Sequence, residues 1–144
     1  MTSRGKIGEL GELAVLYDLI KQGYDAYLIS GSHAYDIVLD IGTKILKVQV
    51  KTTNYLYSYK KVRNIYKFHT NRPGLRVRYK KKDIDLMALI ALDCNVIAYI
   101  PYNRSASAST TFRSRKIVYA HKSNARYLED YPLSKCLKHF GAKT

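Results

Sequence analysis

Residues 44–53 read KILKVQVKTT. Side chains of an extended strand alternate between two faces, so Leu46, Val48 and Val50 fall on one side while Ile45, Lys47, Gln49 and Lys51 fall on the other. The first set is a core-facing row. The second sets an amide and an ammonium about 7 Å apart along the strand, on a face that is either merely wetted or a reaction centre. Gly42-Thr43 predicts a tight turn before this strand, and YDIVLDI (35–41) predicts an antiparallel partner. The GSHA turn and YDAYLIS (24–30) extend the pattern into a three-strand meander. Ahead of it, residues 3–22 predict a helix, with Thr2 or Ser3 as N-cap, Ile7, Leu10, Leu13, Ala14, Tyr17 and Ile20 at helical spacing, and Gly23 as the stop.

Downstream, residues 54–82 are Tyr-rich and basic, with NIYKFHT as a strand and NRPGLR as a turn. The unbroken apolar runs DLMALIALD and NVIAYIPY predict a hairpin around Asp93-Cys94-Asn95 that is covered on both faces. Asp85 and Asp93 border this hairpin. NRSASASTT (103–111) predicts a mobile loop, FRSRKIVYA a short basic strand, and ARYLEDYPLSKCLKHFG a helix kinked or restarted at Pro132. The fold class expected is α/β: an N-terminal helix and a central mixed sheet beginning with the meander, flanked by helices, in a single domain over 1–144.

The formal net charge is +14, from 25 Lys and Arg against 11 Asp and Glu, and the signs are segregated. After Asp40 the next acid is Asp83, and ten bases lie between 60 and 82: Lys60, Lys61, Arg63, Lys67, Arg72, Arg76, Arg78, Lys80, Lys81 and Lys82. Such a tract attracts polyanions and gains affinity by counterion release, so double-stranded DNA is the expected partner. Arg104, Arg113 and Arg115 extend the candidate contacts. A membrane partner is not expected, because no apolar run approaches roughly 20 residues and the basic tract has no helical apolar stripe. Acids in the first turns of the N-terminus speak against a signal segment; the expected setting is the cytoplasm, at the nucleoid. Cys94 and Cys136 lie outside any CxxC or His-rich context and read as two buried, reduced thiols.

The remaining acids form a grouping. The short connection brings Asp36 opposite residues 49–51, and Glu12, two turns into the helix, reaches the same end if the helix packs over the meander. Glu9 competes with Glu12 but is better read as a solvated first-turn acid. Asp40 is read as closing the Gly42 turn and His33 as a turn residue. Phosphodiester hydrolysis needs a hard cation held by oxygen ligands: Asp36, the Gln49 amide oxygen, the Val50 carbonyl and Glu12 are the candidate ligands for Mg²⁺. Lys51 is the candidate for neutralising charge on the scissile phosphate or for orienting the attacking water. No small-molecule substrate is expected.

At Glu12 in GELGELA, Asp36 in AYDIVLD and Gln49-Val50-Lys51 in KVQVKT, the chain resembles the PD-(D/E)XK nuclease superfamily. That family orders a helix glutamate, a strand aspartate and an acid-x-lysine on the next strand. With Gln49 in place of the acid, the chain is most similar to homing endonucleases encoded in cyanobacterial group I introns. The resemblance implies a Mg²⁺-dependent, site-specific endonuclease acting on a long, nearly palindromic target as a homotetramer, with Glu12, Asp36, Gln49 and Lys51 catalytic. One centre per chain already implies at least a dimer. Two alternatives remain: a Holliday junction resolvase-like nuclease, and a DNA-binding module that kept the fold without the chemistry.

Overall fold

The computed structural model describes residues 3–31, 33–59, 62–71, 77–103, 108–117 and 126–142. Ser3 caps the first helix, α1 (Arg4–Lys21), with its Oγ accepting from the Lys6 N–H at 3.3 Å. Gly23, at φ +97°, ends it, and its N–H donates to the Ile20 carbonyl at 2.9 Å. The meander follows as β1 (Asp25–Leu28), β2 (Ile37–Asp40) and β3 (Ile45–Thr53), all antiparallel. The β2–β3 turn closes through Asp40, whose carboxylate accepts the Gly42 N–H at 2.8 Å, as its sequence position suggested.

The next strands, β4 (Tyr57–Tyr59) and β5 (Val62–His69), leave the meander. The chain returns as β6 (Leu86–Ala91), parallel to β3 in the register Val48↔Leu86 to Thr53↔Ala91, and β7 (Val96–Pro101) completes the hairpin. The main sheet therefore runs β1-β2-β3-β6-β7. A second sheet, β4-β5-β8, uses β8 (Ser109–Phe112) against β5. A short 3-10 turn (Leu128–Asp130) precedes α2 (Leu133–Lys138), which restarts after Pro132.

Every residue of β6 is buried, which accounts for its unbroken apolar run. Leu86, Ala88 and Ile90 join Leu46, Val48 and Val50 against Val15 and Leu19 of α1 and Leu133, Cys136 and Leu137 of α2. Met87, Leu89 and Ala91 face the other way, into a cluster with Tyr66, Phe68, Tyr79, Phe112 and Leu128. The two helices flank the sheet as expected, packing together on one face, while the β4-β5-β8 sheet covers the other.

Three local expectations are corrected. The strand anticipated over 112–120 is instead β8, which starts at Ser109 within the stretch read as a mobile loop and ends at Phe112, because Thr110 and Thr111 pair with Phe68 and Lys67 of β5; residues 115–117 turn away, and 118–120 lie outside the described residues. Cys136 is buried, but Cys94 is only half-buried. The apolar face of α1 is the third. Leu10, Leu13, Tyr17 and Ile20 are about half exposed or more, whereas Gly11, Val15 and Leu19 face the sheet. At about 100° per residue the two rows sit on opposite sides of the helix.

Gly11 is the point of closest approach. A Cβ there would lie 2.8 Å from Cβ and Cγ2 of Thr52 on β3. Its absence lets α1 lie directly on the strand. Gly11→Ala is expected to lower stability by about 2 kcal/mol through overpacking, outweighing the ~1 kcal/mol gain in helix propensity. A thermal melt checks it: Tm falls by several degrees, and Thr52→Ala in the same chain, which removes Oγ1 and Cγ2 but keeps the Cβ contact, restores only part of the loss.

Candidate active site

The β2–β3 ladder ends at Ile37↔Val48, and one residue earlier Asp36 takes over its work. Its N–H donates to the Val48 carbonyl at 2.8 Å, and its carboxylate accepts the Val50 N–H at 2.8 Å. The side chain thus substitutes for the next rung, leaving the edge of β3 from Val50 onward open on that side. Gln49, 8% exposed, is buried, and its Nε2 donates to the Val50 carbonyl at 3.1 Å. Lys51 donates from Nζ to the Asn71 carbonyl and to the Tyr79 hydroxyl, both at 2.9 Å. Glu12, one residue after the Gly11 contact, comes down beside Asp36. The four residues that the sequence grouped line one cleft of about 580 Å³, with Arg4, Lys67 and His69.

In this cleft two partly buried carboxyls lie close to one buried ammonium. Burial first, then the Asp36 and Glu9 charges, push the Glu12 carboxyl up to about 7, and it shares a hydrogen bond with Asp36. Burial also raises Asp36, against the pull of the Val50 N–H and the Lys51 ammonium. Burial pushes Lys51 down to about 8, opposed by Asp36. The Glu12 carboxyl is thereby brought into the neutral range, the direction expected when like charges share a poorly solvated site.

PD-(D/E)XK nucleases generally use divalent metal ions, and this donor set fits one. Two carboxylates, an amide oxygen and a main-chain carbonyl are hard oxygen ligands of the kind Mg²⁺ or Mn²⁺ takes. Among the described residues no three His, Cys, Asp or Glu side chains come together, so a cation here would be held by two charged and otherwise neutral oxygens. A second cleft of similar size, about 610 Å³, opens over Met87 and Leu89 and is lined by Arg78, Arg126 and several hydroxyls, with no carboxylate among its described lining residues.

The basic residues are spread more widely than the acids. Lys67 lines the carboxylate cleft, Arg78 the second one, and Lys80, Lys81 and Lys82 are exposed at the turn before β6. Arg115 forms a bidentate pair with Asp130 at 2.7 and 3.0 Å and lies over the Tyr127 ring. Arg113 is half-buried, its main chain bridging to Arg126 and Leu128. Lys60, Lys61, Arg72, Arg76 and Arg104, and the side chain of Arg63, lie outside the described residues. Sequence reasoning overlooked Arg4 and gave Tyr79 no site role; neither carries a motif, and Tyr79 meets Lys51 only through the fold.

A family model described as PD-(D/E)XK endonuclease matches residues 2–134. The fold is similar to that of a bacterial homing endonuclease, I-Ssp6803I, at TM-score 0.70 over 99% of this chain and 100% of that one, with 18% identity. No curated protein matches in sequence.

The raised Glu12 carboxyl has a definite pH signature. Because its folded value of about 7 exceeds the unfolded 4.5, the folded protein binds the proton more tightly. That stability is whole below about pH 4.5 and is lost as the pH rises through about 7. Glu12→Gln, always neutral, escapes the loss. In melts without divalent cation, the variant is expected to gain on the wild type between pH 4.5 and 8, by about 1 kcal/mol after solvent screening of this half-exposed side chain. A difference in Tm that stays flat with pH would contradict the pairing.

Proposed function

Since the chain belongs to the PD-(D/E)XK endonuclease family, we propose that it is a Mg²⁺-dependent, site-specific DNA endonuclease of the homing type, encoded within a group I intron and acting at the nucleoid. The observation that carries the reading is the convergence of Glu12, Asp36, Gln49 and Lys51 at the open edge of β3. In this reading Asp36, Glu12, the Gln49 amide oxygen and the Val50 carbonyl hold the cation. The cation supplies polarisation of the phosphate and acidification of a water. Asp36 is oriented for this by the Val50 N–H, Gln49 is confined by burial, and Lys51 presents its ammonium to the charge that develops on the scissile phosphate.

The duplex is held through its backbone. Arg4 and Lys67 line the cleft, Lys80, Lys81 and Lys82 are exposed in the basic tract, and the other bases of 60–82 together with Arg104, Arg113 and Arg115 complete the proposed contacts. Two antiparallel strands require two centres related by a two-fold axis, so the working unit is at least a dimer, and a tetramer by the resemblance to intron-encoded enzymes. The outward row Leu10, Leu13, Tyr17 and Ile20 on α1 supports self-association, since it offers an apolar seam at heptad-like spacing that a second copy can bury.

Purified protein incubated with a library of long duplexes is expected to cut one class of sequence on both strands with Mg²⁺ and to cut none with chelator. Lys51→Met and Asp36→Asn should lower the cleavage rate by at least about a hundredfold while DNA affinity stays within a few-fold. Absence of cleavage in every condition sinks the enzyme reading in favour of a binding module. Preferential cutting of four-way junctions over linear duplex replaces homing with junction resolution.

A further inference from the structure

The Lys51 side chain would be mobile on its own four-carbon stem, yet two of its three N–H groups are engaged by fixed acceptors. One is the main-chain carbonyl of Asn71, just beyond β5. The other is the hydroxyl of Tyr79, which is 1% exposed and belongs to the cluster under the second sheet. Tyr79 is itself held: its carbonyl accepts the Tyr102 hydroxyl at 2.6 Å, and the two rings meet edge to face at 6.1 Å. Tyr102 in turn donates its N–H to the Asp85 carbonyl at 2.9 Å, at the entrance to β6. The hydroxyl is therefore a fixed point referred to the main sheet. The 5.0 Å from the ammonium to the Tyr79 ring centroid follows from the hydrogen bond.

The chemistry of the two acceptors matters. A carboxylate gripping the ammonium would hold it and also neutralise it. A carbonyl and a phenol oxygen hold it and leave its charge whole. Around a tetrahedral nitrogen, two fixed N–H directions determine the third.

We propose that Tyr79 is a positioning residue for DNA cleavage, its buried hydroxyl fixing the Lys51 ammonium so that the remaining N–H and the full charge face the scissile phosphate. This rests on the reading of Lys51 as catalytic.

Tyr79→Phe keeps the ring and removes the hydroxyl. The expected result is a fall of about ten- to a hundredfold in the single-turnover cleavage rate at saturating protein. DNA affinity without divalent cation should stay within about twofold and Tm nearly unchanged, a split that a merely structural role would not give. A wild-type rate, or equal losses of rate and affinity, overturns the proposal. Lys51→Met, run alongside, separates the two readings: if it cuts at the wild-type rate, the assignment of Lys51 fails and the tyrosine's role fails with it. Should Tyr79→Phe not fold, ¹⁵N-lysine NMR of the wild type decides, with the Lys51→Met spectrum identifying the signal. Slow hydrogen exchange of the Lys51 ammonium is expected, and exchange as fast as that of exposed lysines overturns the proposal.

Discussion

Between Ile37 and the GSHA turn, one residue must both end a strand and start a site. Asp36 does so through two hydrogen bonds to β3, donating from its N–H to Val48 and accepting with its carboxylate from Val50. A side-chain oxygen in place of a main-chain carbonyl stops the β2–β3 ladder while still giving the Val50 N–H an acceptor. It also commits the carboxylate to the end of the sheet where α1 crosses. Gly11 permits that crossing at contact distance from Thr52, and Glu12 follows from it. The position of each site residue is thus tied to the seat of Asp36 on β3.

The same geometry explains why the cleft tolerates Gln49. Glu12 and Asp36 already cannot both ionise comfortably in a half-buried place, and Glu12 is pushed up to about 7 as a result. A third carboxylate at position 49, where the side chain is 8% exposed, would add a further desolvated charge. A neutral amide offers an oxygen without that repulsion. Lys51 contributes the positive charge, partly offsetting the pair and lowered towards about 8 by its own burial.

The period-two alternation of residues 44–53 made the meander legible, because a strand buried on one face has little freedom in how its apolar residues distribute. The doubly buried β6 was legible for the opposite reason, its lack of alternation. The ordered glutamate, aspartate and x-lysine pattern grouped four side chains on paper that line one cleft in the fold. The helix face misled. Larger apolar side chains at 10, 13, 17 and 20 outweigh Gly11, Val15 and Leu19 in any count of hydrophobicity, yet close approach to a sheet favours small residues. Sequence spacing carries no trace of the Tyr79–Lys51 contact, which joins residues 28 apart. Strand β8 was hidden in a Ser/Thr run whose pairing with β5 is set by tertiary context.

The central claim is that the open edge of β3 is a cation site of two carboxylates and neutral oxygens. Calorimetric titration of Mn²⁺ into metal-free wild type and Asp36→Asn, without DNA, tests it most directly. The account predicts saturable binding at one site per chain in the wild type, weakened at least about tenfold by removal of the charged ligand. Indistinguishable isotherms for the two proteins would contradict it.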